Sequence, residues 1–190
     1  RVLGTDAALI AEFVDDAKCR MRTLALCFEG RALRSVEYDV SQTPCRHIVG
    51  RASRFVPQGA NCEFGPGTLF SAQGFDAYAG YSILNGAGEQ LGIIVALDRK
   101  PIADQELTDA LLKIFAVRAA AEMERVRAEA ALVQSETSYR AIFESAEDSI
   151  FIHDWDTGAI VDVNSTACRT YGWPREELLK VSIEDVSSNV

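Results

Sequence analysis

The sequence predicts an α+β fold: an antiparallel sheet with packed helices over its first hundred residues, followed by one long helix and a short, truncated α+β segment. Three observations carry this. Apolar runs rich in β-branched and aromatic residues recur up to Asp98 with turn residues between them. From Asp104 to about Tyr139 there is no Gly or Pro, and Ala, Leu, Glu, Arg and Gln dominate. Charge is divided by position: residues 1–103 carry 11 basic and 11 acidic side chains, 104–138 carry 4 and 7, and 139–190 carry 4 and 10. These shifts predict three segments with those boundaries. The 190 residues, 48% hydrophobic and 25% charged, are enough for one domain or two small ones. A net charge of -9 argues against a nucleic-acid surface and against an anchor to anionic membrane.

Taken in order, Leu9, Ile10, Phe13, Val14 and Ala17 fall on a 3.6-residue stripe and predict an amphipathic helix over 7–20. Residues 23–28 (TLALCF) read as a buried strand, Glu29-Gly30 as a turn and 33–40 (LRSVEYDV) as the partner strand. Thr43 and Pro44 open a short helix closed by Gly50. Residues 54–56 form a short strand. The four glycines and two prolines of 57–77 predict loops with one helical turn. Residues 78–84 and 91–98 are antiparallel strands joined at Asn85-Gly86-Ala87-Gly88. The first segment is thus about four strands with helices on one side, and not a Rossmann unit.

The helix over 104–139 has roughly 35 residues and a length of about 50 Å. Leu107, Leu111, Ile114 and Phe115 are positioned to cover the sheet. Leu112, Ala116, Ala119, Met123, Val126, Ala130 and Val133 repeat at heptad steps and predict the two-helix seam of a homodimer. Beyond it, 139–147 reads as a further helix, 149–153 and 159–164 as strands around a DWDTG turn, 165–171 as a helix stopped by Gly172, and 174–179 as a helix opened by Pro174. Two strands and short helices make a small core, so this segment reads as part of a domain. The chain opens on Arg1 without a Met and reads as a piece of a longer polypeptide, one whose full length is open to membrane association. No apolar run reaches the roughly 18 to 20 residues of a membrane span.

Five cysteines without a CxxC pair read as reduced thiols and predict a cytoplasmic location. Glu12, Asp15 and Asp16 fit a solvated face, and with only His47 and His153 in the chain no metal set and no catalytic group is predicted. The glycines lack phosphate-cradle spacing. His153-Asp154 reads as structural or solvent-facing, Asn164 as an N-cap, and Trp155 and Trp173 as core lids or partner surface. Cys45 and His47 beside the short helix, with Tyr38 and Tyr81, are the candidates for a ligand pocket or sensory contact. No cofactor is assigned.

EYDVSQTPCRHIVG, GYSILNGAGEQLGIIVALDRKPI and IFAVRAAAEMERVRAE together resemble a GAF domain of bacterial multidomain sensor proteins over about residues 1–130. YRAIFESAEDSIFIHD and VDVNSTACRTYGWPREELL resemble the N-terminal part of a PAS domain over 139–182. The resemblance implies an antiparallel sheet with a small-molecule pocket in some members, helices that dimerise and pass a signal onward, and an output domain in the same polypeptide. The Asn-Lys pair of cyclic-nucleotide-binding GAF domains is missing from 1–103. Cys45-Arg46-His47 departs from the adjacent Cys and His of bilin-binding ones. The expected function is therefore a non-enzymatic sensory and dimerisation region that regulates a histidine kinase or a cyclic-di-nucleotide enzyme. A thiol-dependent reductase using Cys45 and a ligand-free dimerising spacer are the competing readings.

Overall fold

In the computed structural model, which describes residues 4–65 and 72–187, seven strands form one sheet: β1 (Ala7–Phe13), β2 (Arg20–Phe28), β3 (Arg31–Ala32), β4 (Glu37–Asp39), β5 (Ser53–Val56), β6 (Ala77–Leu84) and β7 (Gln90–Asp98). Their order is β3-β2-β1-β7-β6-β5, with β4 also on β2, and each pair is antiparallel. The count exceeds the four or so expected because β1 stands where a helix over 7–20 is predicted, the single strand predicted over 33–40 gives way to the short β3 and β4, and the short strand at 54–56 joins the same sheet. β1 lies between β2 and β7 and feeds both faces: Ala7, Leu9, Ala11 and Phe13 join one core cluster and Ile10 the other. A central strand apolar on both faces lacks strict alternation, so its residues also satisfy a helical stripe, and pairing along both edges decides the outcome. The Asp15 carboxylate then accepts the Cys19 and Arg20 amides at 2.9 and 3.1 Å, and Lys18 takes φ 54° to close the turn.

The turn at Glu29-Gly30 is as expected, with φ 49° and 79° in a two-residue hairpin between Phe28 and Arg31. Its partner strand is broken in two. Between β3 and β4, Thr23 Oγ1 accepts the Val36 amide at 2.8 Å, so a side chain replaces part of the ladder. At the next hairpin the Asn85 side chain accepts the Ala87 and Glu89 amides.

Helices cover both faces of the sheet rather than one. Two 3-10 turns, Val40–Gln42 and Pro44–His47, and helix α1 (Ala60–Phe64) cover one face, burying Val40, Cys45, Ile48 and Phe64 against Met21, Tyr78, Ile93 and Val95. Helix α2 (Gln105–Ser145) covers the other through Leu112, Ala116, Ala120 and Met123. Its sheet-facing row is therefore not the expected one: Leu107 and Ile114 are 55% and 62% exposed, while Phe115 is partly buried. Ala116 and Ala120 share this core cluster with Ala79 and Ala96, so small residues stand on both sides of it.

Helix α2 runs past the expected end near 139 to Ser145, absorbing the separate helix predicted there. The chain divides into two compact units, with α2 contributing to the first through Val126 and to the second from Arg127. In the second unit, β8 (Phe151–His153) and β9 (Ile160–Val163) pair antiparallel, followed by α3 (Ser165–Tyr171), α4 (Arg175–Leu178) and α5 (Ile183–Ser187). Ile160, Val163, Ala167, Leu178 and Val186 form its core. Asn164 caps α3, as expected, by accepting the Ala167 amide at 2.9 Å. Fully buried, it does more: it accepts the Ile150 amide at 3.0 Å and donates through Nδ2 to the Phe143 and Asp148 carbonyls at 3.1 and 2.9 Å. Ser165 Oγ donates to the Glu144 carbonyl at 3.2 Å and Thr166 Oγ1 to the Ala146 carbonyl at 2.8 Å. Three consecutive residues thus satisfy carbonyls that a helix end leaves without partners.

Candidate functional site

The candidate residues meet through a run of local turns. Asp39 caps the first 3-10 turn by accepting the Ser41 amide at 2.8 Å, and Thr43 Oγ1 donates to the Val40 carbonyl at 3.0 Å instead of capping the second. Pro44 fits the first position of that second turn, which carries Cys45 under the sheet. There the Cys45 sulfur lies 3.8 Å from the Tyr38 hydroxyl, which also reaches Met21 Sδ at 3.8 Å. Phe64 packs edge-on to Tyr78 with ring centroids 5.2 Å apart, and His47 lies over Phe64, also at 5.2 Å.

The structure brings Tyr38, Cys45 and His47 to one region and leaves Tyr81 out of it. Tyr81 packs on the α2 face. Positions 78 and 81 are an odd number apart on β6, so they point to opposite faces. The aromatic that joins Cys45 is Tyr78, one of the most buried side chains of the chain. Strand alternation was the signal that could have found it. The space over the neighbouring Gly80 is occupied: a Cβ there would strike Ile48 Cδ1 and lie 2.9 Å from the Tyr78 hydroxyl.

Burial pushes the Cys45 thiol up, against weaker opposing hydrogen bonds from Thr43, Tyr38 and Tyr78. Burial also raises Tyr38 and Tyr78, and both gain further from the nearby sulfur. At neutral pH the three groups are protonated and uncharged. His47 is lowered, first by burial and then by Arg46, Arg54 and Arg51, with Glu63 opposing. Arg46 Nε donates to His47 Nε2 at 3.1 Å, which makes that nitrogen an acceptor. A protonated thiol, 5% exposed, lacks the thiolate that nucleophilic or redox chemistry needs. Cys19, Cys27 and Cys62 are exposed. Among the described residues no group of three or more His, Cys, Asp or Glu is placed to hold a metal ion.

A separate groove of about 520 Å³ lies on the α2 face, lined by Ala8, Ile10, Leu24, Leu26, Leu112 and Phe115 among others. It is away from Tyr38 and Cys45, where a pocket is predicted. The helix row proposed as a dimer seam is also divided. Leu112, Ala116 and Met123 are buried in this chain's own core, and Ala119 is partly buried beside them. Val126 and Val133 are 50% and 58% exposed, and Ala130 is exposed.

The family model described as a PAS domain matches residues 137–189. A curated relative, the methyl sulfide methyltransferase-associated sensor of Methanosarcina acetivorans, is 29% identical over 104 residues, 55% of this chain and 10% of that protein. The chain therefore spans about a tenth of the length of the curated relative it matches. Among solved structures, bacteriophytochrome RpBphP3 from R. palustris superposes with a TM-score of 0.53 at 18% identity, covering 75% of this chain and 35% of that one. A methyl-accepting chemotaxis protein reaches 0.51 at 18% identity, covering 66% and 81%. The GAF domain of an Acinetobacter phosphoenolpyruvate-protein phosphotransferase reaches 0.50 at 12% identity, covering 66% and 75%. These similarities show the fold: a GAF-type sheet and helices, followed by a segment that matches the PAS model.

Proposed function

We propose that this chain is a non-enzymatic sensory and dimerisation region of a cytoplasmic signal-transduction protein, and that it regulates a histidine kinase or cyclic-di-nucleotide output domain elsewhere in the same polypeptide. The observation that carries this is α2. It supplies core side chains to the first unit through Met123, and its last carbonyls, those of Phe143 and Glu144, are held by Asn164 and Ser165 of the second. A helix that contributes to two cores passes on a displacement only if it has two packings of similar free energy. The curated relative is itself a sensor, which supports the reading. In the full-length parent, inserting one to four residues between Val126 and Arg127 turns the helix beyond the insertion by about 100° per residue. Output activity is expected to rise and fall with insertion length; the same activity across the series would count against transmission by α2.

Dimerisation is assigned to the exposed part of the row, Val126, Ala130 and Val133, rather than to all seven positions. In sedimentation equilibrium the chain is expected to be a dimer. Val133→Asp, placing a charge in an apolar seam, is expected to weaken association at least tenfold, about 1.4 kcal/mol or more, with unchanged helicity. A monomeric wild-type chain overturns the assignment. The ligand-free spacer remains a second reading, favoured by the filled space over Gly80. The reductase reading is disfavoured by the buried, protonated Cys45.

A further inference from the structure

In a chain of net charge -9, residues 46–54 (RHIVGRASR) hold three arginines and a histidine and no acidic residue. The fold gathers these groups at one surface. Arg46 and His47 come from the second 3-10 turn, Arg51 from the bend before β5, Arg54 from β5 itself, and α1 brings Phe64 under His47 and Glu63 to Arg54. Against three guanidinium groups, Glu63 is the one carboxylate in an ion pair with them among the described residues. Arg46 spends one N–H on the Ser41 carbonyl at 3.2 Å and another on His47. The exposed Arg51 side chain has no hydrogen-bond or ion-pair partner among the described residues. Arg54 pairs with Glu63 through Nη2, yet its Nε is buried with no acceptor.

We propose that this patch binds a small doubly charged oxyanion, the phosphate group of a phosphomonoester or its inorganic equivalent, between Arg46, Arg51 and His47. Planar guanidinium forks match tetrahedral oxyanions, and unspent donors beside uncompensated positive charge are the feature such a ligand satisfies. His47 adds a reporter. It is kept neutral by burial and by Arg46, Arg54 and Arg51, with Glu63 opposing. A bound dianion reverses the sign of that local field and favours the imidazolium, which turns His47 Nε2 from acceptor to donor and releases Arg46 Nε toward the ligand. The site is distinct from the Tyr38, Cys45 and Tyr78 cluster. It supplies the sensory reading with a ligand class, while binding itself is measured without reference to signalling.

The chain has two histidines, so the imidazole proton signals can be followed by NMR and assigned with a His153→Gln variant. Sodium sulfate is the probe, since it stays doubly charged across the titration, with sodium chloride at matched ionic strength as control. Sulfate is expected to displace the His47 signals with saturation and to raise the pH at which they titrate, leaving His153 unmoved. Arg51→Gln, at an exposed bend where the side chain makes no hydrogen bond among the described residues, is expected to weaken sulfate binding by about fivefold. Displacement by chloride to the same extent, a response that climbs without saturating, no displacement at all, or an Arg51→Gln variant that binds as the wild type each overturns the proposal.

Discussion

Cys45 shows how burial sets the chemistry of a residue. With its sulfur beside Tyr38 and its thiol pushed up by desolvation, it is expected to resist thiol reagents in the folded protein. Exposed Cys19, Cys27 and Cys62 should label first, and rapid native labelling of Cys45 would contradict this. Burial also raises Tyr38 and Tyr78. Groups raised on folding stabilise fully below their unfolded values, here 9.0 for the thiol and 10.0 for the phenols, and lose that contribution as pH climbs. The urea midpoint of the first unit is therefore expected to fall from about pH 9 upward, less steeply in Cys45→Ala; a midpoint flat to about pH 10.5 would remove the argument. Asp162 runs the other way. Burial alone would raise it, but hydrogen bonds from Arg175 and the Val163 amide, with the charges of Arg175 and Arg140, hold it below 3.8. Its contribution is present above that value and is lost as pH falls through the lower folded one.

At the scale of elements, Gly92 in β7 lies so close to β1 that a Cβ there would meet the Ala11 carbonyl oxygen. Because the obstacle is backbone, Gly92→Ala is expected to cost about 2 kcal/mol or more, read from urea denaturation, and a neutral result would refute the close approach. The elements legible in the sequence were those with a single reading. β6, β7 and their Asn85 hairpin combine β-branched runs with turn residues, and α2 has no breaker over its length. β1 was not legible, since an apolar run buried on both faces has no period of its own until β2 and β7 pair with it. The sheet-facing row of α2 was missed for a related reason: bulk suggested Leu107 and Ile114, whereas the buried row runs through Leu112, Ala116, Ala120 and Met123, two of them small residues that carry little apolar signal. In the candidate site, Tyr38, Cys45 and His47 were legible near the Thr43-Pro44 turn. Tyr78 needed the register of β6, and the grouping of Arg51 and Arg54 with His47 needed the return of α1.

For the molecule as a whole, the division at Val126 and Arg127 predicts how stability is distributed. Each unit has its own core, one on the two faces of the seven-stranded sheet and one around Val163, Ala167 and Leu178. The two-state approximation holds for single cooperative bodies and fails when two cores melt separately. Asn164 probes the second core. Asn164→Ala leaves the Phe143 and Asp148 carbonyls and the Ile150 and Ala167 amides without that side chain, and with Asn164 fully buried the expected cost is about 3 kcal/mol. Gly92→Ala probes the first. Hydrogen exchange followed through a urea series is expected to show Gly92→Ala loosening the amides of β1, β6 and β7 while those of β9 and α3 keep their wild-type protection, and Asn164→Ala to do the reverse. Helix α2 supplies the internal control, since its amides near Leu112 should follow the first pattern and those near Phe143 the second. If either substitution lowers protection equally throughout, the chain unfolds as one body, and α2 joins the two cores into a single cooperative structure.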